Sequence, residues 1–246
     1  MKLLIVSDIH GNINTFQKFC DLHIKRFMDH KVIFLGDFYG YYYDSNEIVK
    51  ICIDRKYKCI LGNHDKYFLD VINEKTLLSD LIEKYGISYQ LALNEATSEI
   101  VNFIKSLPLE IEINVGDLKI LLCHGSPLDK LNGRIYPDTN LYKFKDQFKS
   151  YDIIITGHTH HKLARKIDNC LFLNPGSLGQ QRDGAGCSFL SLDLLKRSYK
   201  FHEIKYNLLS LEQNIKNNDP LRSDMVEVLR RSRPINFGIY NQSYNF

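Results

Sequence analysis

The sequence predicts an α/β fold in one domain, and three observations carry that reading. Apolar runs at 3–7, 32–35 and 57–61 alternate with two amphipathic stretches, the order of a parallel sheet with right-handed crossovers. Two further runs, 109–115 and 118–123, bracket Gly116-Asp117, which has the chemistry of a hairpin turn. No repeat, low-complexity block or linker divides the chain.

Residues 3–7 are continuously apolar, so they read as a strand buried on both faces. Phe16, Phe19, Cys20, Ile24 and Phe27 then recur at helical spacing. After the strand at 32–35, Asp44 and Glu47 have the spacing of a capping box. Ile48, Ile51 and Cys52 continue that helix face, and 57–61 is the third strand. From about 65 to 107 the chain reads as helical, with Leu93, Ala96, Ile100, Ile104 and Leu107 on one face and Pro108 as the stop. Beyond the hairpin, a polar loop runs to about Asn140, long enough to be suspected of function. Residues 153–156 form another buried strand. Short strands at 163–167, 171–173, 187–192 and 199–206 follow without long helices and predict an antiparallel second sheet. Residues 208–216 and 221–231 read as helices packed outside, and the tail after Pro234 as irregular.

Composition is that of an ordinary globular chain, and the net charge of +3 is spread thinly, so no long nucleic acid is implied. The dense basic cluster, Arg230, Arg231 and Arg233, reads as a solvated helix end. The six cysteines form no C-x-x-C pair and sit in apolar segments, so they read as reduced small hydrophobes. The first apolar run is too short for a signal peptide and nothing approaches a membrane span, which predicts a cytoplasmic protein.

Five strand ends carry the same cargo: Asp8-x-His10, Gly36-Asp37, Gly62-Asn63-His64-Asp65, His124, and Gly157-His158-Thr159-His160. A lone Asp after a strand is usually a turn residue or a cap. Seven such residues delivered to one sheet edge are better read as a site. Two aspartates, an asparagine and four histidines make a mixed oxygen and nitrogen ligand set suited to divalent transition metals, Mn, Fe, Zn, Co or Ni. The set is too large for one ion, and two ions bridged by a carboxylate would satisfy it.

The blocks D-x-H, G-D, G-N-H-D, H and G-H-x-H, in this order, resemble the calcineurin-like metallophosphoesterase superfamily. Asn174-Pro175-Gly176-Ser177 and Gln181-Arg182-Asp183-Gly184 look like its small bacterial and archaeal phosphodiesterase branch. The resemblance implies a four-layer α/β/β/α sandwich of two mixed sheets, with residues 1–206 as the catalytic domain and 207–246 as helices and tail packed on it. It implies that Asp8, His10 and His160 hold one metal, that Asn63, His124 and His158 hold the other, and that Asp37 bridges them. Mn is the first ion to expect. His64, not needed as a ligand, is the natural general acid for the leaving oxygen, or a cation stabilising the transition state. Asp65 either orients His64 or caps the helix behind it. Asn12 reads first as a helix N-cap and second as a substrate contact, and Arg182 as a phosphate contact or a surface ion-pair donor. His161 reads as a neighbour of the ligands rather than one of them.

The expected activity is hydrolysis of a phosphomonoester or phosphodiester of a small molecule, a nucleotide or a phosphopeptide. The alternative is a non-catalytic protein-binding scaffold on the same fold, against which the complete ligand set and His64 argue. A zinc hydrolase of the β-lactamase type would need H-x-H-x-D-H, which the chain lacks. One departure is the Gly36–Glu47 segment with its Tyr39–Tyr43 loop, where Tyr42, Tyr43 and Ser45 stand in place of the Gly and Pro common in relatives. These rings read as loop packing first, and as a surface for a base or aryl group second.

Overall fold

The computed structural model describes residues 1–183, 186–205, 207–230 and 244–246. Strands β1 (Lys2–Val6), β2 (Lys31–Phe34) and β3 (Lys58–Cys59) run parallel, joined through helices α1 (Ile13–Arg26) and α2 (Ser45–Asp54). Helices α3 (Asn63–Ile72), α4 (Leu78–Tyr85), α5 (Ser88–Glu95) and α6 (Ser98–Ser106) follow. The hairpin forms as expected, from β4 (Glu110–Val115) and β5 (Leu118–Cys123). A short helical segment, Leu141–Phe144 continuing into α7 (Lys145–Phe148), leads to β6 (Ile153–Ile155). Strands β7 (Lys162–Ile167), β8 (Cys170–Pro175), β9 (Cys187–Asp193) and β10 (Ser198–Ile204) precede α8 (Leu208–Asn218), α9 (Asp224–Arg230) and the short β11 (Tyr244–Asn245).

Two mixed sheets result, ordered β11-β10-β9-β1-β2-β3 and β4-β5-β6-β8-β7. Their facing sides share one core, with Leu3, Ile5, Ile33 and Ile60 against Ile120, Leu122, Ile153 and Leu173. The alternate residues Leu4, Val6, Val32 and Phe34 point outward and are covered by Phe16, Phe19, Ile48, Phe68 and Ile104 from the helices. Both faces of the inner strands are therefore buried, which is why they read as unbroken apolar runs. Leu141 and Phe144 cover Leu121, Ile154 and Phe172 on the outside of the second sheet.

The late strands do not form one antiparallel sheet. The β9–β10 hairpin joins the first sheet, antiparallel to the free edge of β1, while β8 pairs parallel with β6 and antiparallel with β7. Alternation records which faces are buried and not which neighbour is paired, so the sequence pattern could not separate these arrangements. The 65–107 helical stretch breaks where Ala96 turns extended and Thr97 accepts from Ile100 N, starting α6. Asp44 precedes α2 but makes no side-chain cap bond, so the expected capping box is not formed.

Tyr42 and Tyr43 pack against Leu211, Ile215, Met225 and Val226 of α8 and α9. Arg230 of the basic cluster pairs with Glu212. Arg231, Arg233, Gly184, Tyr206 and most of the tail after Pro234 lie outside the described residues. All six cysteines are buried, and none is in a disulfide. No helix among the described residues is long and apolar enough to cross a membrane.

Candidate metal centre and cleft

The strand ends meet where the two sheets face each other. Asp8 and His10 follow β1, Asp37 follows β2, and Asn63 opens α3 just after β3; His124 follows β5, and His158 and His160 follow β6. The turns are tight enough that Gly62 admits no Cβ, which would overlap the Asp37 carboxylate and backbone nitrogen. Asp8, His10, Asp37, His158 and His160 all take left-handed φ, from 51° to 65°. Non-glycine residues rarely adopt that region, and a run of them at one place marks stored strain. The 174–181 loop braces the arrangement: Ser177 donates to Asp8 O at 2.6 Å and Asn174 to Gly157 O at 2.7 Å.

The seven expected ligands fall into two groups sharing Asp37, namely Asp8, His10, Asp37 and His160, and Asp37, His124 and His158. Asn63 adds its Oδ1 to the second, 3.0 Å from His124 Nε2. Three imidazoles point Nδ1 at a backbone carbonyl: His10 at Tyr39 O (2.7 Å), His124 at Leu35 O (2.7 Å) and His160 at Gln180 O (2.6 Å). An Nδ1–H so used leaves Nε2 as a bare lone pair in the neutral ring, the orientation in which histidine ligates metals. His10 Nε2 and His160 Nε2 then lie 3.0 Å apart with no hydrogen between them. Burial lowers the pKa of both rings, which keeps them neutral.

Each aspartate repeats the logic. Asp8 Oδ2 accepts from His158 N (3.1 Å) and Asp37 Oδ1 from His64 N (2.8 Å), while Asp8 Oδ1 and Asp37 Oδ2 are buried without a donor. Asp37 Oδ2 lies 3.2 Å from His124 Nε2 and 3.7 Å from His10 Nε2, facing both groups. Burial would lower the His124 pKa, but the Asp37 carboxylate overrides it and raises it to about 9. Positive charge is wanted in this slot. Lone pairs converging on donor-free buried oxygens fit divalent cations.

His64 stands beside this set with its ring 4.8 Å from that of His10. Burial lowers its pKa to about 3, so it is neutral near pH 7. Its Nδ1 is 2.8 Å from Tyr89 Oη, not near Asp65. Asp65 instead accepts from Gly62 N and Asp37 N (both 2.9 Å) and from Phe38 N (2.7 Å), tying two of the ligand turns together. Burial and the nearby charge of Asp37 push its carboxyl up to about 7, against the pull of these donors. Of the two expected roles the structure therefore places Asp65 at the helix start and at the loop that holds Asp37. Asn12 caps α1 through Thr15 N and donates to Gly179 O at 2.9 Å, so its side chain is used inside the fold and does not line the cleft. His161 contacts Thr159 O and Tyr136 at the margin.

Above the set opens a cleft of about 220 Å³ lined by Asp37, Asn63, His64, His158 and His160 on its floor. Arg182 is in its wall, donating to Gln180 Oε1 and to Tyr41 Oη (3.0 Å), so the expected surface ion pair is not formed. Tyr41 packs edge-on to His10 at 4.8 Å, whereas Tyr42 and Tyr43 point away to Met225 O and Asp219. The loop is thus divided, with one ring in the cleft and two in packing. Tyr67, Lys84, Tyr85, Arg134 and Tyr136 complete the lining. None of these, nor Tyr89, belongs to a sequence motif. Arg134 and Tyr136 come from the long polar loop, whose length was the one signal.

A relative from Methanocaldococcus jannaschii, an uncharacterized protein, is 28% identical over 240 residues, covering 89% of this chain and 93% of that protein. A phosphodiesterase of the same archaeon is 24% identical over 182 residues, covering 69% of this chain and 96% of its own length. Among solved structures, a metallophosphoesterase from Sphaerobacter thermophilus superposes with a TM-score of 0.76 at 22% identity, covering 95% of this chain and all of that one (100%). The model of the calcineurin-like phosphoesterase superfamily domain matches residues 1–197, the span that contributes every ligand turn and the whole lining of the cleft, and the chain belongs to that superfamily.

Proposed function

We propose that the protein is a metal-dependent phosphoesterase that hydrolyses a phosphomonoester or phosphodiester. The observation that carries the reading is the 3.0 Å approach of His10 Nε2 and His160 Nε2, two lone pairs beside the donor-free oxygens of Asp8 and Asp37. Asp8, His10 and His160 would hold one divalent ion, Asn63, His124 and His158 a second, and Asp37 would serve both. Such ions supply the positive charge that phosphoryl transfer requires and acidify water. The chain does the rest. Arg182, held by Gln180 and Tyr41, offers a fixed guanidinium to a phosphoryl oxygen. His64 is neutral, so with Tyr89 Oη–H donating to Nδ1 the ring hydrogen is on Nε2, where it would hydrogen-bond the leaving oxygen. The six buried cysteines, none in a disulfide, support a reducing compartment as its place of action.

Metal analysis and turnover test this together. Purified protein should hold up to about two transition metal ions per chain and, with Mn²⁺ tried first, cleave p-nitrophenyl phosphate or its bis-ester. Asp37→Ala should lose metal and turnover together. Protein that binds no metal and cleaves neither ester would point instead to a scaffold.

A further inference from the structure

The cleft contains more positive charge than one phosphoryl group needs. Arg182 stands over the His10 side, its guanidinium 5.6 Å from the Tyr41 ring. Arg134 lies at the opposite wall, where its charge acts on His158. These two flank the place of the reacting phosphoryl. Lys84 is elsewhere: its Nζ lies 4.9 Å over the Tyr85 ring, and Tyr85 packs edge-on against His64 at 4.6 Å. Lys84 therefore stands on the side of the proposed acid, one ring further from the metal positions. Among the described residues no carboxylate pairs with Lys84.

The same side is aromatic. Tyr67 lies 5.5 Å from His64 and near-parallel to Tyr85, at 6.3 Å and 21°. Tyr41 closes the group edge-on to Tyr85 at 5.4 Å. Tyr85 is buried and is capped by Lys84, whereas Tyr67 is only half-buried and borders the open cleft beside a lysine that no carboxylate among the described residues neutralises. Flat rings next to a cation suit a ligand with its own flat ring and a second anionic group.

The geometry points to nucleotides carrying two phosphates as the ligands of this cleft: the base lies against Tyr67, Lys84 takes the second phosphate, and the first occupies the reacting position. The identity of the reacting position rests on the phosphoesterase reading above; the base and Lys84 contacts rest on the cleft alone.

Calorimetric titration of the full-length protein, as purified and again after chelator treatment, separates the contributions. ADP and adenosine 3′,5′-bisphosphate are the two arms, since the second phosphate lies on the same chain in one and across the ribose in the other. AMP lacks the second phosphate and pyrophosphate lacks the base. At least one arm should bind about tenfold more tightly than both controls. Lys84→Ala, an exposed change, should remove the preference over AMP, and Tyr67→Ala the preference over pyrophosphate. Preferences below about threefold, or preferences that survive both substitutions, would overturn the assignment. Esters cleaved with metal while no preference exists would sink this inference alone. The preference without any ester cleavage would sink the phosphoesterase reading alone.

Discussion

His64 is gripped from two sides. Tyr89 holds Nδ1, and Gly40, at φ 85°, passes so close that a Cβ there would overlap the same nitrogen. Gly40→Ala should therefore push the imidazole out of place and strain the loop while leaving the metal ligands untouched. Turnover on p-nitrophenyl phosphate should fall by about 10- to 100-fold with metal content unchanged, approaching the roughly 10²–10⁴-fold loss expected of His64→Ala. A Gly40→Ala protein with full turnover would show that His64 needs no such support. The convergence of the seven side chains was legible in the sequence, because a polar side chain after a buried strand, often beside a glycine, is a local pattern. Tyr89 and Gly40 were not. Their importance comes from meeting His64 in space, 25 residues away for Tyr89 and beyond α2 and β3 for Gly40, and neither has a spacing to read.

At the level of elements, the helices after β3 supply the cleft wall, and the C-terminal helices hold that wall in place. Asp219 at the end of α8 accepts from Ile87 N (2.9 Å) between α4 and α5, and from Tyr43 Oη. Arg222 donates to Lys84 O. Helix existence was readable from periodicity here, but the pairing of β8, β9 and β10 was not, since pattern reports burial rather than partners. The start of α2 offers a separate test. Asp44 makes no cap bond, and partial burial, with Glu47 and Glu95 nearby, raises its pKa from 3.8 to about 6. The proton is held more tightly in the folded chain, so stability is lost as pH rises from about 4 through 6. Asp44→Asn should add about 1 kcal/mol at pH 8, allowing for solvent screening, and nothing near pH 3.5. Urea unfolding at both pH values checks it; an equal difference between the two proteins at each pH would contradict the assignment.

For the molecule as a whole, the site is the seam between two sheets. The first contributes Asp8, His10, Asp37 and Asn63, and the second contributes His124, His158 and His160. An ion held by the whole set would therefore touch both sheets, adding to the apolar core they share. An ion present at about a hundred times its dissociation constant adds about 2.7 kcal/mol to the folded state. For a chain of this length that is roughly 5–10 °C in Tm. Scanning the protein with Mn²⁺ and with chelator measures it, and a transition that ignores the metal would count against ligands on both sheets. The left-handed backbone at Asp8, His10, Asp37, His158 and His160 gives this seam a history as well as a chemistry. Each such residue costs on the order of 1 kcal/mol of steric strain that glycine would avoid. A lineage with no use for ions here would have no reason to keep that strain, and these five positions would be among the first to change.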